Sequence, residues 1–166
     1  MAFAFSTGSA KAVGTLQTDT AQYLRIHIRA HSNGESDQAV KYLVRDAVVE
    51  YLTPCVASYA SVEQARADVQ ARSSALDDVA ESVLRENGFF YGARVRIVEE
   101  AFPTRVYGEF VLPQGVYWAI VIELGSGSGD NWWCVAYPPL CFTSVQNVVY
   151  KSKIVEIIQR WKSGKL

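Results

Sequence analysis

Tyr23-Leu24-Arg25-Ile26-His27-Ile28-Arg29-Ala30 alternates strictly, with Leu24, Ile26, Ile28 and Ala30 on one side and Arg25, His27 and Arg29 on the other. Side chains of an extended chain point to opposite faces in turn, so this octad predicts a strand with one buried and one polar face. The period then changes. Ser32-Asn33-Gly34-Glu35-Ser36-Asp37 is a turn in which Ser32 and Glu35 have capping-box spacing. Val40, Leu43, Val44, Ala47, Val48, Tyr51 and Leu52 then trace a helical stripe, with Lys41, Arg45, Asp46 and Glu50 on the far side, and Pro54 is expected to stop it. Ser61 and Gln64 offer a second capping box. Val62, Ala65, Val69, Leu76, Val79, Val83 and Leu84 form the stripe of the next helix, which Ser73-Ser74 can bend or split and Asn87-Gly88 closes.

Beyond Gly92 the alternation returns. Arg94 and Arg96 alternate with Val95 and Ile97, and in Thr104 to Leu112 the set Val106, Phe110 and Leu112 opposes Arg105, Tyr107 and Glu109. Pro113-Gln114-Gly115 is a tight connection into Val116 to Leu124, which is apolar enough to be a central strand. Gly125-Ser126-Gly127-Ser128-Gly129-Asp130 lacks the Lys-Ser/Thr ending of a phosphate loop, so it reads as a flexible connection that lets the next segment fold back. Ile154, Val155, Ile157, Ile158 and Trp161, with Lys151, Lys153, Arg160 and Lys162 opposite, predict a short C-terminal helix. The expected fold is α+β: a mainly antiparallel sheet of four to five strands, two long helices packed on one face, and a short C-terminal helix.

Composition sets outer limits. With 166 residues, 49% hydrophobic and 12% aromatic, the chain supports one globular domain, taken as 21–166, behind a disordered or appended tail at 1–20. A net charge of −1 supplies no global field for nucleic acid or an anionic membrane surface. The longest apolar run, Val116 to Ile122, is far short of the ~20 residues that span a bilayer, so stable membrane insertion is not expected. Residues 1–20 also lack the apolar core of a signal peptide.

Candidate chemistry is concentrated in Asn131-Trp132-Trp133-Cys134-Val135-Ala136-Tyr137-Pro138-Pro139-Leu140-Cys141-Phe142. Adjacent tryptophans in an extended segment face opposite ways, so Trp132 and Trp133 cannot share one core, and one of them belongs to a surface or a second interface. A reversal at Pro138-Pro139 can bring Cys134 and Cys141 within disulfide range, which would stabilise the fold by about 2.5 kcal/mol in the chain-entropy model; two small buried thiols are the alternative. Cys55 is the leftover thiol. His27 and His31 have the spacing of a helical metal pair, but on a strand they lie about 13 Å apart, so no metal site is expected. With helices on one sheet face, the other displays Arg25, His27, Arg29, Arg94, Arg96, Arg105 and Tyr107, a basic and aromatic surface suited to an acidic protein partner or an anion, or else an ordinary solvated face.

Three blocks of residues together resemble the stage II sporulation protein R family of endospore-forming bacteria. The first is Tyr23 to Ala30 with Ser32-Asn33, Asp37-Gln38 and Lys41 to Pro54; within it stand Val44-Arg45-Asp46-Ala47-Val48 and Tyr51-Leu52-Thr53-Pro54. Phe102-Pro103-Thr104, Tyr107-Gly108, Leu112-Pro113 and Gly115 make the second, and Gly125 to Phe142 the third. The resemblance implies a non-enzymatic signalling protein, made in the forespore and exported to the space between forespore and mother cell. There it would trigger a membrane-embedded aspartic protease of the mother cell, which cleaves the precursor of sigma factor E. The family it resembles is not an enzyme family, so no catalytic residue carries over, and an exported location favours the Cys134–Cys141 disulfide; no cofactor and, from the charge balance, no nucleic-acid partner are expected. Members of the family carry a hydrophobic export segment, which residues 1–20 do not supply, and His31 stands where the pattern leads us to expect Asn.

The contact with the protease is expected to draw on Asn131, Trp132, Trp133, Tyr137, Pro138 and Pro139, or on Arg25, His27, Arg29, Arg96, Arg105 and Tyr107, since aromatic and Arg side chains dominate interface energies. Two other functions compete. One is a thiol enzyme with Cys134 or Cys141 as nucleophile and His27 or His31 as base. The other is a cell-wall or glycan binder using Trp132 and Tyr137 as stacking platforms.

Overall fold

The alternating octad becomes β1 (Leu24–Arg29), an inner strand of a four-stranded sheet in the computed structural model, which describes residues 19–108, 110–142, 155–157, 159–160 and 163. After β1 come α1 (Glu35–Val56), α2 (Val62–Ala71), α3 (Ser73–Glu86), β2 (Ala93–Phe102), the short pair β3 (Arg105–Tyr107) and β4 (Phe110–Leu112), β5 (Gly115–Leu124) and β6 (Asn131–Tyr137). The sheet order is β2-β5-β1-β6. β2 with β5 and β1 with β6 are antiparallel, while β1 and β5 are parallel, so the α+β fold has a mixed sheet in which antiparallel pairings predominate. β3 and β4 form a separate two-stranded ladder. Residues 155–157 and 159–160 are helical, as the C-terminal pattern predicts. Of the expected tail, residues 1–18 lie outside the described residues, and Thr20 belongs to a 3-10 turn, Thr20–Gln22. Of the expected C-terminal pattern, Lys151, Lys153, Ile154, Ile158, Trp161 and Lys162 also lie outside the described residues.

Two apolar clusters sit on the two sheet faces. Leu24, Ile26 and Ile28 of β1, Ile120, Ile122 and Leu124 of β5 and Val95 and Ile97 of β2 meet the helices through Val44, Val48, Leu52, Leu76, Ala80 and Leu84. Tyr23, Phe102, Tyr117, Ala119, Val121 and Val135, with Leu112 of β4, form the smaller cluster on the opposite face. Both faces of β5 are therefore buried, which is why its sequence is apolar nearly throughout.

The helices correct several details. Pro54 lies inside the last turn of α1 rather than ending it. The α1 stripe is rotated from the expected one: Leu43 is 47% exposed, whereas Lys41 is buried at 1%. Its ammonium donates to Gln38 Oε1 at 2.6 Å and to the Asp130 carbonyl at 3.0 Å, and these bonds compensate the cost of removing a charge from water. Ser32 does not cap α1. Gly34 is the N-cap residue, and Ser32 Oγ instead accepts from the Gly34 N–H and donates to Asp37. Ser61 does cap α2, accepting from the Gln64 N–H at 3.2 Å, while Gln64 Oε1 reaches back to the Ala60 N–H at 2.7 Å. The second predicted helix splits at Arg72, where the guanidinium holds Asp68 and Asp68 also accepts from the Tyr59 hydroxyl.

Candidate partner-binding face

Alternation along four strands decides what the face opposite the helices carries. β1 contributes Arg25, His27 and Arg29, β2 contributes Arg94, Arg96, Glu100 and Phe102, β5 contributes Tyr117 and Glu123, and β6 contributes Asn131 and Trp133. The chain then folds β3 and β4 over part of this face. The result divides it into a covered half and an open half.

The covered half holds Arg25, which is fully buried. Its Nε donates to the Cys134 carbonyl at 3.3 Å and its Nη2 to the Tyr107 hydroxyl at 2.9 Å. The guanidinium lies 4.2 Å from the Phe102 ring centroid, 4.8 Å from that of Tyr117 and 5.6 Å from that of Tyr107. No carboxylate among the described residues pairs with it, and Nη1 has no hydrogen-bond partner among them. Three aromatic faces and two oxygen acceptors thus stand in for a counter-ion. Burial pushes the Tyr107 phenol up, and the Arg25 charge beside it opposes that shift.

His27, one alternation further, is also buried. Its ring stacks on Trp133 with centroids 3.7 Å apart and planes at 17°, and Phe102 meets both rings edge-on. Nδ1 is 2.9 Å from Glu100 Oε2. Burial, with Arg29 and Arg25 adding to it, pushes the imidazole down to about 4, against the opposing pull of Asn131 and Glu123. At neutral pH the ring is therefore uncharged, with Nδ1–H donating to Glu100 and the bare Nε2 without a hydrogen-bond partner among the described residues. Arg25 and His27 were expected on a displayed surface. Instead they are covered by Trp133, Phe102, Tyr107 and Tyr117, residues far from β1 in sequence, so alternation alone does not reveal which polar side will be roofed.

The open half is a ladder of charges. Arg29 pairs with Glu100 and with Glu123 at 2.9 Å, and Arg96 pairs with Glu123 at 3.0 Å. Arg105 lies over the outer face of Trp133, 5.5 Å from the ring centroid. Trp133 is therefore layered between buried His27 and exposed Arg105, and Asn131 is exposed on the same side of β6. Tyr107 is half-buried at the edge of this region, whereas Val106 and Val111, paired across β3 and β4, are 65% and 54% exposed; Val106 therefore does not share a side with Phe110 and Leu112, which pair with Tyr107 and Arg105, and Glu109 lies outside the described residues.

The remaining candidates lie elsewhere. Trp132 points to the helix side, as alternation requires, and packs half-buried on the main core with the Arg45 guanidinium 5.9 Å from its ring centroid. Tyr137 is buried on that side too, which removes it as a stacking platform for a sugar. The chain reversal through Pro138 and Pro139 brings the sulfurs of Cys134 and Cys141 into contact, with Cα atoms 6.3 Å apart, inside the span a disulfide takes. Cys134 belongs to the helix-side core, His27 to the opposite face and His31 to the end of the sheet, so the Cys–His arrangement of a thiol enzyme is not assembled.

What orients β6 is a network that sequence reading missed. The Ser126 N–H donates to His31 Nδ1 at 2.9 Å, the Asp130 N–H to Asn33 Oδ1 at 2.6 Å and the Gly129 N–H to the Ala30 carbonyl at 2.9 Å. Tyr91 stacks on His31 and donates to Asp37 at 2.7 Å; that bond and the one from Ser32 hold the Asp37 carboxyl below its ordinary range. A Cβ at Gly129 would overlap the Ser32 carbonyl, so the glycine-rich loop is close-fitted rather than slack. The signal was the density of Ser, Asn and Asp in 31–37, which capping alone does not account for. Among the described residues no group of three or more His, Cys, Asp or Glu side chains is arranged to hold a metal ion, and no helix is long and apolar enough to cross a membrane.

The profile of the family described as stage II sporulation protein R matches residues 20–147. A stage II sporulation protein R of Bacillus subtilis (strain 168) is 38% identical over 126 residues, which are 76% of this chain and 56% of that protein. The chain thus spans about half the length of the curated relative it matches. No solved structure matches it.

Proposed function

Because the chain belongs to the stage II sporulation protein R family, and so has a role in sporulation, we propose that it is the signal that switches on a membrane-embedded aspartic protease of the mother cell. The signal acts from the extracytoplasmic side, after export from the forespore into the space between the two cells, and the activated protease cleaves the precursor of sigma factor E. Family membership is the observation that carries this reading. The chain acts by contact, through the open half of the face opposite the helices, where Arg105 over Trp133, Asn131, Arg29 and Arg96 collect the side-chain types that anchor interfaces.

Its test is cleavage of the sigma E precursor in vesicles or a heterologous cell that carries the protease, with the full chain supplied outside. Wild-type chain is expected to trigger cleavage. Arg105→Glu combined with Arg96→Glu, both at exposed positions, is expected to reduce it at least about tenfold by putting carboxylates where the partner presents its own. Absence of cleavage with folded wild-type chain and a cognate protease would overturn the signalling role. Normal cleavage with the double variant would leave that role and move the contact off this face.

A further inference from the structure

β2 is an outer strand of the four-stranded sheet among the described residues. The Gly125 N–H donates to the Gly92 carbonyl at 2.8 Å, in register with the β2–β5 ladder that runs from Ala93↔Leu124 to Phe102↔Gly115. Residues of an antiparallel pair alternate between those that exchange bonds and those whose backbone groups point away. Even-numbered residues of β2 therefore bond to β5, and odd-numbered ones face outward. Val95 agrees, because its N–H leaves the sheet and reaches Asp77 of α3 at 2.6 Å.

Beyond that cap no described element bonds to the edge. The outward backbone groups of Ile97, Glu99 and Ala101 have no partner among the described residues. They span about 13 Å of extended chain. Strand edges are commonly blunted by a proline, a bulge or a covering element. Here the register with β5 runs without a bulge, the first proline is Pro103, and α3 bonds only at Val95. The flanking side chains add a chemical bias: Glu99 is exposed without an ion-pair partner among the described residues, and Ala101 is exposed next to its cross-strand neighbour Val116, itself 56% exposed.

We propose that the Ile97–Ala101 edge of β2 docks an extended segment of a partner protein as a fifth strand, with a basic side chain against Glu99 and an apolar one against Ala101 and Val116. Three outward residues supply up to six backbone hydrogen bonds in an antiparallel match, and the side-chain pattern selects the sequence. A second copy of this chain does not fit the edge. Two β2 strands related by a twofold axis at Glu99 or at Glu100 set identical carboxylates opposite each other. An axis at Val98 runs Ala101 of each copy against the Asp77 cap on Val95 of the other. The proposal is independent of the protease reading, and its test uses neither protease nor precursor.

The full chain would be titrated with an end-blocked peptide of about eight residues, alternating Thr and Val with one central Lys, while backbone amide exchange is followed. Protection on the order of tenfold or more at Ile97, Glu99 and Ala101, with Val98 and Glu100 unchanged, is the expected result. Glu99→Pro deletes one outward N–H and spares the ladder to β5, so it should abolish that protection while keeping the wild-type Tm. If Glu99→Pro does not fold, Glu99→Lys decides: it should bind the Lys peptide more weakly and a Glu-for-Lys peptide more tightly. Protection elsewhere only, no protection at saturating peptide, unchanged binding by a folded Glu99→Pro, or a peptide-free dimer through β2 seen by sedimentation would each overturn the proposal.

Discussion

Acid should destabilise this protein through His27, and the size of the effect is set by where the ring sits. In the unfolded chain its pKa is 6.5, and in the fold it drops to about 4, because the charged form would be buried under Trp133 and beside Arg25 and Arg29. Between these values the unfolded state binds a proton that the folded state refuses, so stability rises with pH across that window and is lost as pH falls from 6.5 toward 4. At ~1.36 kcal/mol per pH unit, the loss is about 3 kcal/mol, a large part of an ordinary domain's stability. The perturbation is His27→Phe, which keeps the stack on Trp133 and removes the titration. Urea unfolding followed by tryptophan fluorescence at several pH values from 7 to 4.5 should show wild type losing stability relative to the variant by about 2 to 3 kcal/mol. The competing influence is Glu100, which accepts from Nδ1 and would favour imidazolium. Arg29 already pairs with that carboxylate, so its charge is largely spent. If wild type instead gains stability over the variant on acidification to pH 6, Glu100 governs the ring and the reasoning is wrong.

Three further outcomes are expected. Replacing Cys134 and Cys141 together by Ala should lower stability under oxidising conditions by about 2.5 kcal/mol, read from the urea midpoint; an unchanged midpoint would mean that the sulfurs are not bridged. Lys41→Met strands the Asp130 carbonyl and Gln38 Oε1 and should cost about 2 kcal/mol, with faster amide exchange at Asn131 to Trp133 than elsewhere in the sheet, since Lys41 ties α1 to the loop ahead of β6. Gly129→Ala drives a Cβ into the Ser32 carbonyl and should destabilise by about 2 kcal/mol, whereas Gly88→Ala meets open space but a left-handed backbone and should cost about 1 kcal/mol; thermal unfolding of both variants checks the order.

Local order was legible where one element's own pattern suffices. The alternation from Leu24 to Arg29, the apolar run in β5, the opposite facing of Trp132 and Trp133 and the cap at Ser61 all arise from period and side-chain chemistry, and all stand in the fold. What sequence concealed depends on partners supplied by distant segments. Arg25 has the residue type of a solvated position and is buried because Phe102, Tyr107 and Tyr117 converge on it. Lys41 reads as the polar side of its helix and is buried because the Asp130 carbonyl arrives 89 residues later. The parallel match of β1 with β5 leaves no local mark, since a buried inner strand looks alike in either direction. Arg25, His27, Arg29, Arg94 and Arg96 do share one side of the sheet, whereas Arg105 and Tyr107 stand on the β3–β4 ladder that roofs part of it, and no local pattern marks that roof.

The position of β1 has a consequence in time rather than in space. Among the described residues the first strand is flanked by the last two, β5 on one side and β6 on the other. As the chain emerges from its N-terminus, Leu24, Ile26 and Ile28 have no strand to bond to until Gly115 and beyond has appeared, and β1 is not enclosed until Tyr137 has been made. Helices α1 to α3 can form meanwhile, but they have no complete sheet to pack on. Closure of the sheet is therefore a long-range event, which waits for segments about 90 to 110 residues beyond β1.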